Sequence, residues 1–158
     1  MPSDNRPPSQ HRLRLGRESV AGRCYHVTIT CANHQRLLHQ DRIRQLVAEA
    51  IQGMLGRGFG RLDAYVIMPD HIHILFSLAD TKSLSQAIQD LKKFTALRAN
   101  RLLGREGSFW NQGFHDHAIR TDRDYSEHLA YILRNPVRAG LVKEGEQYPY
   151  LGWGPWEM

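Results

Sequence analysis

Met68-Pro69-Asp70-His71-Ile72-His73-Ile74-Leu75-Phe76-Ser77-Leu78 decides how this chain is read. Pro69-Asp70 is a tight-turn dipeptide, and the residues after it read as a β-strand. Side chains alternate across a strand, so His71 and His73 share one face, while Ile72, Ile74, Phe76 and Leu78 share the other and can enter a core. Two imidazoles side by side at the start of a strand can hold one divalent ion from a rigid base. An H-x-H triplet also recurs by chance, so the rest of the chain has to supply the partners.

Working outward, Leu62 to Met68 reads as a strand that the short turn must join to the histidine strand as an antiparallel hairpin. Upstream, Arg23 to Thr30 alternates Tyr25, Val27 and Ile29 with Cys24, His26 and Thr28, another strand. His26 falls on its more polar face and is expected to be a hydrogen-bonding partner rather than a ligand. Between these strands, Asp41 is expected to cap a helix from Arg42 to Leu55. Ile43, Leu46, Val47, Ala50, Ile51 and Met54 form its apolar stripe, and Gly56 and Gly58 end it.

Downstream, Ser83-Leu84-Ser85-Gln86 is a capping box that opens a helix to about Leu103, with Gly104 as its stop. Lys92, Lys93, Arg98, Arg101 and Arg105 crowd its second half, as phosphate contacts or as a solvated face near a helix C-terminus. Phe109 to Arg120 ends as a fourth strand. His115 and His117 share one of its faces and are an alternative metal pair. They rank below His71 and His73, because no uninterrupted apolar face anchors them.

Asp122 is expected to cap a third helix to about Arg134, with Tyr125, Leu129 and Ile132 as its apolar stripe. Tyr131 lies off that stripe; Asn135 is one turn on, and Glu127 and His128 are one turn back. Asn135-Pro136 also reads as a restart, with Asn as N-cap and Pro as first residue of a short turn ending at Gly140. The aromatic tail from Tyr148 to Trp156 is expected to fold back. The element order predicts an α+β, ferredoxin-like split βαβ fold. Its antiparallel sheet carries helices on one face, plus an added C-terminal helix that carries Tyr131.

The chain has 158 residues, 41% hydrophobic and 23% charged, with a formal charge of +5. That suits one domain, placed at 20–158, behind a mobile basic arm at 1–19 that holds Pro2, Pro7, Pro8, Arg12 and Arg14. A sequence pI of about 9.5 suits a polyanionic partner. Cys24 and Cys31 are too far apart along an extended strand to bridge, and no C-x-x-C pair exists. A reduced, cytoplasmic protein without membrane contact is the expectation, as no apolar run is long enough to span a bilayer and no signal-peptide region is present.

A metal held by His71 and His73 would act as a Lewis acid on a phosphoryl oxygen, with Asn135 adding an oxygen ligand. This donor set suits Mg²⁺ or Mn²⁺. Tyr131, one helical turn from Asn135, would then be a covalent nucleophile beside the activated phosphate. Two plainer roles stay open: a cap for Asn135 and a half-buried packing tyrosine for Tyr131.

The residues resemble a known group. Pro69-Asp70-His71-Ile72-His73 matches the HUH motif of single-strand DNA endonucleases. Tyr131-Ile132-Leu133-Arg134-Asn135-Pro136-Val137-Arg138-Ala139-Gly140-Leu141-Val142 resembles the block that carries the single nucleophilic tyrosine of REP-associated tyrosine transposases, relatives of the IS200/IS605 transposases. Cys24-Tyr25-His26-Val27-Thr28 and Phe114-His115-Asp116-His117-Ala118-Ile119-Arg120 look like further blocks of that group.

The resemblance implies His71, His73 and Asn135 as metal ligands and Tyr131 as nucleophile. It also implies single-stranded DNA cleaved beside palindromic hairpins through a 5′-phosphotyrosine. Asn135 stands where the insertion-sequence relatives use Gln, and Tyr125 is a rival nucleophile on the apolar stripe. Arg12, Arg14, Lys92, Lys93, Arg98, Arg101, Arg120 and Arg138 are the expected DNA contacts, in a monomer or homodimer. Two rival classes remain: a non-cleaving nucleic-acid-binding regulator of the same fold, and a phosphodiesterase that hydrolyses with water.

Overall fold

A computed structural model describes residues 23–154. Arg12 and Arg14 lie outside the described residues. Five strands form one antiparallel sheet: β1 (Cys24–Thr30), β2 (Gly60–Ile67), β3 (His71–Leu78), β4 (His115–Ala118) and β5 (Leu151–Trp153), in the order β4-β1-β3-β2-β5. Three helices accompany them: α1 (Asp41–Ala50), α2 (Leu84–Leu103) and α3 (Asp122–Arg138). The histidine strand is central and pairs with β1 and β2.

The two faces of the sheet carry different cores. Tyr25, Val27 and Ile29 of β1 and Ile72, Ile74 and Phe76 of β3 point to α1 and α2 and join Ile43, Val47, Leu84, Ile88 and Leu91. Ala64, Val66, Met68 and Leu75 point the other way and meet Ile132, with Tyr125 and Leu129 beside it, on α3. A register shift between Leu62 and Ala64 changes which face each half of β2 serves. The third helix is therefore the added layer, on the face that holds His71 and His73.

The Pro69-Asp70 turn is tied down by backbone bonds. Met68 N–H donates to His71 O at 2.8 Å, Cys31 N–H to Asp70 O at 2.9 Å and Leu38 N–H to Pro69 O at 2.9 Å. At the far end of the hairpin only glycine fits position 60, because a Cβ there would sit 1.9 Å from the Ser77 carbonyl oxygen. Ser83 caps α2 by accepting from the Gln86 N–H, and Gly104 ends it at φ 63°.

Four expectations change. Asp41 lies inside α1, whose flanking residue Gln40 makes no side-chain cap. That helix continues as a π-helical stretch, Ile51–Gly58, where Gly53, Gly56 and Gly58 ease the wider turn. The cap of α3 is Thr121, whose hydroxyl accepts from Asp124 N–H. Asn135 does not restart a helix: α3 runs unbroken through Pro136 to Arg138. Proline removes one N–H there, but the apolar stripe keeps the last turn against the sheet. The tail adds a short fifth strand on β2.

Two outcomes follow from this packing. Ile132 is fully buried, and Ile132→Ala is expected to lower stability by about 2–5 kcal/mol in urea unfolding. Both cysteines are free. Burial pushes the Cys24 thiol up to about 12, with the Asp63 carboxylate adding to it, and burial pushes Cys31 to about 12 as well. At pH 8 both thiols are then protonated, so a disulfide reagent is expected to titrate them only after denaturation.

Candidate active site

On the second face, cross-strand register sets the polar groups in rows. Thr28 pairs with His73 on one side and His115 on the other, while His26 pairs with Leu75 and His117. Over β2 and around Leu75 of β3 this face is apolar and takes the stripe of α3, while the start of β3 carries His71 and His73. The half over β1 and β4 is rich in imidazole. Tyr125, Leu129, Ile132 and Pro136 form the apolar stripe; Asp124, His128, Tyr131 and Asn135 sit one residue back, about 100° round the helix. Docking the first stripe turns the second toward the histidines.

His71 and His73 lie side by side, ring centroids 4.9 Å apart. Asp70 Oδ1 lies 2.6 Å from His71 Nδ1. His73 Nδ1 lies 3.0 Å from both His26 Nε2 and Thr28 Oγ1. With Nδ1 engaged on each ring, Nε2 remains as the donor atom, the arrangement that orients imidazole ligands. His73 is 5% exposed, and its Nε2 is buried with no hydrogen-bond partner. An orphaned buried nitrogen is costly unless something else completes it. The pair fits a divalent cation.

Tyr131 is 40% exposed. Its ring stands edge-on to His73 at 5.3 Å between centroids and lies 6.1 Å from His26. The Arg138 guanidinium sits 4.7 Å over the phenol ring. Asn135 is buried at 8% exposure. The rival Tyr125 belongs to the apolar cluster and hydrogen-bonds Asp63.

A cavity of about 510 Å³ opens beside this constellation, lined by His26, Thr28, His73, His117, His128 and Tyr131 among others. Burial pushes His26 down to about 3, with the charges of His128 and His117 adding to it. Burial, then His26 and His71, holds His73 well below the ordinary imidazole range. Both rings are neutral near pH 7, the form that binds metal. His117, Asp124 and His128 offer ligand atoms within 4.8 Å of one another, a second group able to hold an ion. His117 thus works with Asp124 and His128, while its expected mate His115 is exposed on β4.

The other expected contacts fall in two places. Arg120 and Arg138 are exposed on the α3 side of the sheet. Lys93, Arg98 and Arg101 are exposed on α2, across the sheet from His71 and His73. Lys92 donates to the carbonyls of Asn111 and Gly113 at 2.8 and 2.7 Å, and burial lowers its basicity. Asp124 and the linking role of His26 were missed from sequence. The spacing Asp124, His128, Tyr131, Asn135, Arg138 is one helical stripe and was the signal for the first. The second depends on strand register, which no local pattern gives.

An antiparallel sheet with a tyrosine-bearing helix laid over a strand histidine pair defines the tyrosine transposase class of fold. Residues 19–135 match the family described as "Transposase IS200 like", and the chain belongs to that family. It is 34% identical over 100 residues to a Haemophilus influenzae protein assigned to the REP-associated tyrosine transposases, covering 55% of each chain. It thus spans about half of that relative's length. It is 27% identical over 132 residues to the REP-associated tyrosine transposase of Escherichia coli, covering 83% of this chain and 76% of that one. A solved REP-associated tyrosine transposase bound to a REP hairpin superposes with a TM-score of 0.66 at 26% identity, over 85% of this chain and 79% of that one. No described helix is long and apolar enough to cross a membrane.

Proposed function

We propose that this transposase-family protein cuts and rejoins single-stranded DNA beside REP-type hairpins, with Tyr131 as nucleophile and His71, His73 and Asn135 holding a divalent metal. The observation that carries the reading is the phenol ring 5.3 Å from an imidazole whose buried Nε2 has no partner. The hairpin bound to the solved relative supports the choice of substrate.

Arg138 and Arg120 hold the backbone phosphate beside Tyr131. The phenol oxygen attacks phosphorus, its proton leaving through the open side of the cavity. The bond from phosphorus to the 3′ oxygen breaks, and that oxygen takes up a proton as the 3′ hydroxyl. The 5′ phosphate stays esterified to Tyr131, and attack by a 3′ hydroxyl reverses the step and rejoins DNA. A bound Mg²⁺ or Mn²⁺ supplies Lewis-acid stabilisation of the phosphoryl oxygens. The cations of α2 and those expected in the arm at 1–19 strengthen the field that draws in the polyanion.

Labelled hairpin DNA, Mn²⁺ and a denaturing gel test this reading. The wild type is expected to form a covalent adduct, and Tyr131→Phe to lose cleavage by at least about 10³-fold while still binding. Cleavage without an adduct, undiminished in Tyr131→Phe, would mean hydrolysis by water. Bound but uncut DNA would mean a regulator. Chelation is expected to stop cutting and leave most binding intact, and Asn135→Ala to raise the Mn²⁺ requirement at least about 10-fold.

A further inference from the structure

The imidazoles of the second face form a continuous chain that ends on a carboxylate. His73 Nδ1 lies 3.0 Å from His26 Nε2. His26 Nδ1 lies 2.6 Å from His128 Nδ1. His128 Nε2 lies 3.3 Å from Asp124 Oδ1, and the other carboxylate oxygen takes hydrogen bonds from His117 Nε2 at 2.8 Å and Arg120 N at 3.1 Å.

A proton count over this chain has few solutions. Three neutral rings carry three ring hydrogens. Each of the two nitrogen-to-nitrogen contacts must hold one of them, because two lone pairs or two N–H groups cannot face each other at these distances. The third hydrogen then sits at one end: on His128 Nε2 or on His73 Nε2. The first end lies 3.3 Å from the Asp124 carboxylate, whose negative charge favours a hydrogen there. The second is a buried atom with no acceptor in reach.

We propose that Asp124, acting through His128 and His26, fixes the His73 tautomer that leaves Nε2 as a bare lone pair. The hydrogens then run from His73 Nδ1 to His26 and from His26 Nδ1 to His128, and the third sits on His128 Nε2 beside the Asp124 carboxylate. Thr28 Oγ1, 3.0 Å from His73 Nδ1, accepts a share of the first. Burial alone would raise the Asp124 carboxyl, but its bonds from His117 and Arg120 hold it below the ordinary range, so it stays an acceptor. Asp124, His128 and His26 are positioning residues. Their bearing on catalysis rests on the metal reading of His73; the tautomer does not.

Long-range ¹H–¹⁵N spectra of histidine-labelled, metal-free protein read the tautomer directly. The wild type is expected to show His73 with hydrogen on Nδ1 and a pyridine-like Nε2. Asp124→Asn, left with one acceptor oxygen between His117 and His128, is expected to move hydrogen onto His73 Nε2 and to weaken Mn²⁺ binding, followed by EPR, by about 10- to 100-fold. If that variant does not fold, His128→Phe keeps a ring in place, cuts the chain and is expected to move His73 the same way. A hydrogen on Nε2 in the wild type, or a His73 spectrum that neither variant moves, would overturn the proposal. The expected tautomer and its shift, with no Mn²⁺ bound by the wild type, would instead sink the metal reading and leave the relay standing.

Discussion

The docking of α3 across the second face of the sheet is the contact on which the rest depends. It is an apolar contact: Ile132, with Tyr125 and Leu129, meets Ala64, Val66, Met68 and Leu75. Helix geometry does the rest, because a stripe one residue back must face the neighbouring strip of sheet. That strip is the imidazole-rich part of β1, β3 and β4. Hydrophobic burial on β2 and β3 thereby aims Asp124, His128 and Tyr131 at the histidines without any polar bond having to pull them there.

Burial has a second effect on the same face. A ring that is hard to charge keeps a lone pair, and a lone pair is what a cation needs. His26 and His73 are nearly enclosed, so their neutrality follows from position and needs no charged partner. The same enclosure buries the contact between His26 and His73, where the proton count begins. His71, half-buried beside Asp70, shows the other way to orient a ring, by a carboxylate next to it in sequence.

Much of this was legible in the chain, and what was not has physical causes. The hairpin at Pro69-Asp70 and the helix opened by Ser83 rest on local chemistry, and local chemistry is written in neighbouring residues. The split βαβ order followed from them. Asn135-Pro136 carried the restart signal of a capped turn, yet tertiary packing kept the helix whole through it. The Leu151–Trp153 strand was too short and glycine-containing to show a period of two. The link from His26 to His73 joins positions 47 residues apart, and only the pairing of β1 with β3 creates it. The division of basic residues between two layers likewise needs the topology, since a helix's charge pattern does not say which face of the sheet it covers.

The most direct measurement is anomalous diffraction from crystals soaked in Mn²⁺. The account predicts a peak bonded to His71 and His73, on the side where Tyr131 stands. A peak held by His117, Asp124 and His128, with none at His71 and His73, would contradict it.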